Sequence, residues 1–177
     1  MIELKNITFS YEGREQGGLR NINLTVKNGE CILLCGRSGC GKTTITRLVN
    51  GLIPRFYAGE LTGQVVIDGK DIADLTMYEI SEKVGSVFQN PRTQFFNIDS
   101  TSELIFRCEN LAVPVEQISQ YLENAINEFG IGELVGRNLF HLSGGEKQKI
   151  ACASVSIPMP DIFVLDEPTS NLDWRSI

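Results

Sequence analysis

A chain of 177 residues with 42% hydrophobic and 21% charged residues has the composition of one globular domain with a substantial core. Its net charge of -6 and the lack of any lysine–arginine cluster argue against nucleic-acid binding. No apolar stretch approaches the roughly 20 residues of a membrane-spanning helix, so we predict no direct membrane insertion.

The N-terminal half of the chain predicts a small antiparallel β-layer. Residues 2–9 and 19–26 alternate between apolar and polar side chains, and residues 61–68 end in an Asp68-Gly69 turn. Between these segments, the apolar run 30–35 predicts a buried strand of the kind found in parallel sheets.

A glycine-rich segment follows that run and predicts a phosphate-binding loop. Its glycines let the backbone turn tightly and approach a phosphate, and a helix should begin near Lys42 with its free amides facing the anion. Lys42 would reach the β- and γ-phosphates of a nucleotide, and the Thr43 hydroxyl would hold Mg²⁺. The predicted ATP-binding residues of this loop are Gly36, Arg37, Ser38, Gly39, Cys40, Gly41, Lys42, Thr43 and Thr44.

Residues 90–141 predict a lobe of helices. Six residues lie on one face of a predicted helix, namely Ile118, Tyr121, Leu122, Ala125, Ile126 and Phe129. A shorter stripe precedes Pro114 and contains Leu104, Ile105, Cys108 and Leu111.

The segment Ser143-Gly144-Gly145-Glu146 predicts a helix start with Ser143 as the N-cap and Glu146 completing a capping box. The helix should end before Pro158. A serine and two glycines at the positive end of a helix also favour anion binding. A single phosphate needs one such site and the chain has two, so the second is available for a nucleotide held by another subunit.

The four apolar residues 162–165 predict a buried strand that ends at Asp166. Ligands of open parallel sheets bind at the carboxyl ends of strands. Asp166 is therefore expected to hold Mg²⁺, directly or through water, and Glu167 to act as general base on the attacking water.

In this order the motifs resemble the Walker A loop, Q-loop, signature, Walker B and D-loop of the ATP-binding cassettes of ABC transporters. The resemblance extends from Gly36 to Asp173. It implies an α/β fold: a P-loop NTPase core with a mostly parallel sheet, an antiparallel β-layer and an inserted α-helical subdomain. The core would comprise residues 1–89 and 142–177, and the helical subdomain residues 90–141.

The resemblance also implies roles for individual residues, with ATP and Mg²⁺ as cofactors. Two cassettes would dimerise head to tail, so that each ATP lies between one P-loop and the opposite signature. Lys42, Gln89 and Glu167 would be catalytic, and Gln89 would also contact Mg²⁺. Tyr11 lies where the family stacks an aromatic ring on adenine. The residues that would contact the partner's ATP are Ser143, Gly144, Gly145 and Glu146.

A narrower resemblance concerns residues 87–96, Val-Phe-Gln-Asn-Pro-Arg-Thr-Gln-Phe-Phe. They are similar to the Q-loop region of energy-coupling factor ATPases, which power vitamin and metal-ion importers. The implied partners are a second cassette, identical or different, a transmembrane coupling protein and a small substrate-binding membrane protein. The chain would then be peripheral on the cytoplasmic face of the cell membrane. Residues 92–96 are a candidate contact surface, although these aromatic residues fit the core of the lobe equally well.

Three alternatives stay open: the ATPase of another ABC importer or exporter, a soluble ABC ATPase, and a non-catalytic subunit of an asymmetric pair. The family has a switch histidine beyond the D-loop, whereas this chain stops at Ile177 and its one histidine, His141, directly precedes the signature. We interpret His141 as a loop or helix-end residue. We therefore expect a C-terminally truncated cassette that binds MgATP, hydrolyses it weakly by itself and has an unpaired sheet edge.

Overall fold

Four antiparallel strands form the larger sheet of the structure, a computed structural model that describes residues 1–13, 18–170 and 172. The strand order is β2-β1-β3-β4, so β1 is paired on both edges. The strands are β1 (Ile2–Tyr11), β2 (Gly18–Val26), β3 (Gly59–Ile67) and β4 (Lys70–Asp71). This sheet confirms the predicted antiparallel β-layer.

The alternation read from the sequence sets which face of β1 is buried. Leu4, Ile7 and Phe9 are almost fully buried, and the register shift between Leu4 and Ile7, which are three residues apart, lets both lie on the covered side. Asp68 and Gly69 have φ of +49° and +82° and join β3 to β4, as a two-residue hairpin turn requires.

The chain divides into two compact units, residues 1–81 and 82–177. The described residues of the first half of the chain contain the helices α1 (Lys42–Val49), α2 (Leu52–Arg55), whose backbone leaves helical geometry at Ile53, and α3 (Met77–Lys83). The predicted division into a core of residues 1–89 and 142–177 with a helical subdomain of residues 90–141 stays a prediction.

The strand predicted at residues 30–35 is wrong. The segment has no strand geometry, the side chains of Ile32 and Leu33 are 41% and 84% exposed, and within the described part of the chain no strand pairs with it. An apolar run supplies β-propensity, but a strand forms only when a neighbour takes its backbone hydrogen bonds.

The second unit contains a parallel pair of strands, β5 (Val84–Val87) and β6 (Ile162–Leu165), in the register Val84↔Ile162 to Val87↔Leu165. The predicted strand at residues 162–165 is therefore present, but its predicted burial is wrong: Ile162 and Val164 are only partly buried, and the other two residues are exposed. Phe163 and Leu165 are 51% and 48% exposed, because alternate residues of a strand point to opposite faces and the second unit covers only the other one.

The described part of the second unit also contains the helices α4 (Ser100–Asn110), α5 (Val115–Phe129) and α6 (Gly144–Ser156). Short 3-10 turns lie at Pro91–Thr93, Gly132–Leu134 and Leu139–His141. Of the stripe predicted for α5, Ala125 belongs to a buried apolar cluster and the other five residues, partly buried, pack against it. The same cluster contains Leu104 and Cys108 of α4 and Ile150 and Ala153 of α6. None of the helices in the described ranges is both long enough and apolar enough to cross a lipid bilayer.

Candidate nucleotide-binding site

The glycine-rich loop leads into α1, which begins at the predicted residue, Lys42. Gly39 and Gly41 have φ of +78° and +101°, a region that side chains disfavour. A Cβ at Gly41 would also lie 2.7 Å from Cδ2 of Leu19. The backbone conformation therefore favours glycine at both positions, and a side chain at Gly41 would in addition have to displace the Leu19 side chain.

The Lys42 ammonium group lies over the loop rather than away from it. Its Nζ donates to the carbonyl oxygens of Gly36, at 3.0 Å, and Arg37, at 3.2 Å. The first amides of α1 have no acceptor within their own helix. A positive charge and several free amides at one helix start are suited to a polyphosphate, so the residues present fit the phosphates of a nucleotide.

Tyr11, the predicted adenine-stacking residue, ends β1 beside α1. Its hydroxyl oxygen lies 3.1 Å from Oγ1 of Thr44 and accepts a hydrogen bond of 3.1 Å from Nη1 of Arg47. The guanidinium of Arg47 in turn lies 4.0 Å from the ring centroid of Tyr57. Sequence reasoning missed Arg47 and Tyr57. The only available signal was the i, i+3 spacing of Arg47 from Thr44 on the helix.

The capping box predicted at the start of α6 is confirmed. The Ser143 amide donates to Oε2 of Glu146 at 2.7 Å, and the Glu146 amide donates to Oγ of Ser143 at 3.2 Å. The hydrogen bond from the Ser143 backbone, reinforced by the serine side chain, lowers the pKa of Glu146 below its ordinary value. Ser143 and Gly144 remain exposed at the positive end of this helix.

Lys147, within the same first turns, has a structural position that the sequence did not reveal. It is only 5% exposed, and its Nζ donates to the carbonyl oxygens of Leu142 and Phe140. The ammonium group therefore holds the chain segment that leads into α6. His141 lies in that segment, at the end of the 3-10 turn Leu139–His141, where the sequence placed it.

The Q-loop and the Walker B acids meet at the carboxyl ends of β5 and β6. The parallel register pairs Val87 with Leu165, and the Asp166 amide extends the ladder by donating to the Val87 carbonyl at 2.9 Å. Two residues beyond the pair, Nε2 of Gln89 donates to Oε2 of Glu167 at 2.8 Å. Gln89, Asp166 and Glu167 are thus brought to one edge of this sheet, as parallel pairing requires.

Glu167 has a φ of +52°, an uncommon conformation for a residue with a Cβ. The Ser170 amide donates to the carbonyl of Glu167 at 3.1 Å, which closes a turn after the strand. Of the predicted D-loop, Ser170 and Leu172 belong to the described residues, whereas Asn171 and Asp173 lie outside them.

A cavity of about 310 Å³ lies between the Q-loop and the start of α6 in the second unit. Its lining residues are Gln89, Asn90, Pro91, Arg92, Gly144 and Lys147. Over the described ranges, no three His, Cys, Asp or Glu side chains cluster closely enough to hold a metal ion. The assignment of Thr43, Gln89 and Asp166 as Mg²⁺ ligands remains a prediction. The roles of the other site residues also remain predictions.

These features agree with the comparison of the chain with known protein families. The model of a family described as ABC transporter matches residues 19–170, which is most of the chain. The chain belongs to the ABC transporter family. Its relatives are described as ATP-binding proteins of these transporters.

Two relatives illustrate the range of similarity. A putative ABC transporter ATP-binding protein of Treponema denticola is 54% identical over 177 residues, all of this chain and 36% of the relative. Another, of Pyrococcus abyssi, is 41% identical over 98% of this chain and 62% of the relative. The chain thus spans about a third of the Treponema protein's length.

Solved structures confirm the predicted α/β fold class, that of P-loop NTPase cassettes. CbiO1 of Clostridium perfringens, described as part of the ABC transporter complex CbiONQ, has a TM-score of 0.82 and 29% identity over 99% of this chain and 68% of its own. A dimeric bacterial ABC transporter cassette, bound to ADP and phosphate after hydrolysis, has a TM-score of 0.82 and 28% identity over 99% of this chain and 78% of its own.

Proposed function

We propose that this chain binds MgATP and is an ATP-hydrolysing part of a membrane importer, working as one member of a head-to-tail pair of cassettes. The observation that carries the proposal is the hydrogen bond between Gln89 and Glu167 at the carboxyl ends of β5 and β6. It brings an amide and a carboxylate together at the carboxyl ends of two parallel strands, where ligands of open parallel sheets bind, and this supports the proposal.

ATP binding would depend on the P-loop and on Tyr11. Lys42 would exchange its two loop carbonyls, those of Gly36 and Arg37, for β- and γ-phosphate oxygens. This exchange conserves the hydrogen bonds of the ammonium group while it gains an anionic partner, and charge-assisted hydrogen bonds are the stronger kind. The Tyr11 ring would stack on adenine.

Hydrolysis would depend on Glu167 as general base. Its carboxylate would take a proton from the attacking water, and the hydrogen bond that Gln89 donates to Oε2 would keep the carboxylate oriented. We expect Thr43, Gln89 and Asp166 to hold Mg²⁺, which would neutralise charge on the phosphates. The ABC family has a switch histidine beyond the D-loop, whereas the single histidine of these 177 residues, His141, directly precedes the signature. We therefore expect the chain by itself to hydrolyse ATP slowly.

The exposed start of α6 supports a pairwise arrangement. Ser143 and Gly144 present a positive helix end, with Gly145 and Glu146 in the same first turn, and this end would contact the ATP held by a second cassette. The dimeric cassettes among the similar structures support this arrangement.

The importer class is supported by the likeness to CbiO1, which is itself part of a transporter complex. We propose an energy-coupling factor importer of vitamins or metal ions, with a transmembrane coupling protein and a small substrate-binding membrane protein as partners at the cytoplasmic face. Residues 92–96, which begin at Arg92 on the cavity wall, are the proposed contact surface. The ATPase of another ABC importer or exporter is the second candidate, because the curated relatives are described only as ABC transporter ATP-binding proteins.

The first test is MgATP binding by the full 177-residue chain in calorimetry. Lys42→Ala should abolish measurable binding, because it removes the charge held over the loop. Lys27→Ala, which removes an exposed lysine of the same unit, serves as the matched control and should bind as the unmodified chain does. Equal affinity in all three proteins would refute the nucleotide site.

The second test separates the catalytic and dimer proposals in the full-length protein. Glu167→Gln keeps an oxygen for Gln89 but removes the base, so ATP should stay bound and hold the cassettes together in size-exclusion chromatography. Association that is indifferent to ATP would contradict the paired arrangement. Purification of that protein from native membranes in mild detergent, followed by mass spectrometry, tests the importer. A coupling protein and a small binding protein should copurify.

A further inference from the structure

Four side chains around α1 form a connected polar and aromatic cluster that the predicted site did not include as a unit. The Tyr11 hydroxyl lies between Thr44, at 3.1 Å, and Arg47, at 3.1 Å. Arg47 lies over the Tyr57 ring, and the Tyr11 and Tyr57 rings meet edge to face with centroids 6.4 Å apart. The cluster therefore links the end of β1 to the third residue of the P-loop helix.

The surrounding contacts hold each member in place. Phe9, which is 1% exposed, packs edge to face against Tyr11 with ring centroids 4.8 Å apart. The Tyr57 ring, 4.0 Å from the Arg47 guanidinium, attracts the cation through its electron-rich face. Thr44 is 6% exposed, so its hydroxyl lies in a site where water competes little.

The chemistry of these groups fixes the direction of the hydrogen bond between Arg47 and Tyr11 and favours one direction for the hydrogen bond between Tyr11 and Thr44. A guanidinium can only donate, so the Tyr11 oxygen accepts from Arg47. Accepting from a cation polarises the phenol and makes its own O–H a better donor. The favoured arrangement therefore runs from Arg47 to Tyr11 and from Tyr11 to the oxygen of Thr44. The Thr44 hydroxyl hydrogen is then available to a further acceptor.

We propose that Arg47 is a positioning residue that acts through the Tyr11 hydroxyl to orient the Thr44 hydroxyl as a donor to a bound phosphate. The inference rests on the proposed nucleotide binding and adds to it a role for Tyr11 that is separate from ring stacking. Thr44 belongs to the first turn of α1, where phosphate oxygens are attracted by the helix start. Tyr57 keeps Arg47 in reach of Tyr11.

The test compares two ligands by calorimetry with the full chain: MgATP and magnesium tripolyphosphate, which has no base to stack on. Tyr11→Phe keeps the ring and removes only the hydroxyl, and Arg47→Met removes the charge but keeps the length. Each should weaken both ligands by the same factor, about three- to tenfold, as expected for one lost hydrogen bond. The double variant should be no weaker than either single one, because both break the same chain of hydrogen bonds.

Arg20→Met, which alters an exposed arginine of β2, is the matched control and should leave both affinities unchanged. Far-ultraviolet circular dichroism of each variant without ligand checks that the fold is retained. Arg47→Lys keeps a cation that can donate a hydrogen bond, so it should bind both ligands more tightly than Arg47→Met does. If Arg47 had only a structural role, the two variants should bind with equal affinity.

The outcomes distinguish this inference from the proposal it rests on. If Tyr11→Phe leaves tripolyphosphate affinity unchanged, Tyr11 acts through its ring alone and the inference is wrong. If the effects of the two single variants add, Arg47 does not act through Tyr11. Binding of neither ligand by the unmodified chain would overturn the proposed nucleotide site itself, and the inference with it.

Discussion

Replacing Glu103 with alanine should loosen the segment that joins the Q-loop to α4. Glu103 is 4% exposed, and its Oε2 accepts from the Phe96 amide at 3.0 Å, the Asn97 amide at 2.9 Å and Nδ2 of Asn97 at 3.2 Å. One buried carboxylate oxygen thus holds two consecutive backbone amides. It also fixes the Phe96 ring, which stacks on Phe106 with centroids 5.1 Å apart.

The expected loss of stability follows from those three hydrogen bonds. An unsatisfied buried donor costs about 1–3 kcal/mol, and the low end of about 1 kcal/mol applies to each of the two backbone amides, because Phe96 is 78% exposed and water can reach the segment. We expect Glu103→Ala to lower the free energy of unfolding by about 2 kcal/mol. Glu103→Gln keeps an acceptor oxygen but loses its charge, so its cost should be about 1 kcal/mol.

Urea denaturation and amide hydrogen exchange measure this effect globally and locally. With an m-value of about 2 kcal/mol/M, the midpoint for Glu103→Ala should fall by about 1 M. The Phe96 and Asn97 amides should exchange faster. Glu109→Ala, an exposed glutamate of the same helix, should change stability by less than about 0.5 kcal/mol. Unchanged exchange at both amides in Glu103→Ala would refute the reasoning.

Two further predictions concern the helix start of α6 and the cysteines. Ser143→Ala should destabilise the first turn of α6 by about 1 kcal/mol, seen as faster exchange of the Glu146 amide, and an unchanged rate would contradict the cap. Because the pKa of Glu146 is lowered, the contribution of its carboxylate is complete above the ordinary value of 4.5 and is lost as the pH falls through the lowered value. Protection of the Ser143 amide should disappear over that range. A thiol reagent should modify the three exposed cysteines faster than Cys108 and Cys152. Burial raises the pKa of both of these thiols and so lowers the fraction present as reactive thiolate. Rapid modification of Cys108 in the folded chain would show that α4 is not packed as described. The exposed cysteines are Cys31, Cys35 and Cys40.

Local spacing explains why much of the fold could be predicted. The start of α1 at Lys42, the capping box of Ser143 with Glu146 and the turn at Asp68-Gly69 depend on residues at most a few positions apart. The stripe of α5 depends on its own helical period. The order of the phosphate motifs along the chain was sufficient to indicate the ABC transporter family, which the comparisons confirm.

The failed predictions concern segments whose structure depends on a partner. Residues 30–35 have the apolar composition of a strand, but Leu33 is 84% exposed because nothing in the described part of the chain pairs with the segment. Phe163 and Leu165 are exposed for a related reason, since the second unit covers only one face of β6. Strand burial is a property of neighbours, which composition does not specify.

The sequence by itself therefore determined the family and the secondary structure at the helix starts and hairpin, and it predicts which residues bind phosphate. Only the tertiary structure decided that Gln89 meets Glu167 across 78 residues, that Glu103 anchors two amides, and that Arg47 reaches Tyr11. The physical reason is the distance along the chain between the residues that interact. Caps, turns and helical stripes depend on contacts within a few residues, whereas these side-chain pairs depend on strand register and helix packing that bring distant segments together.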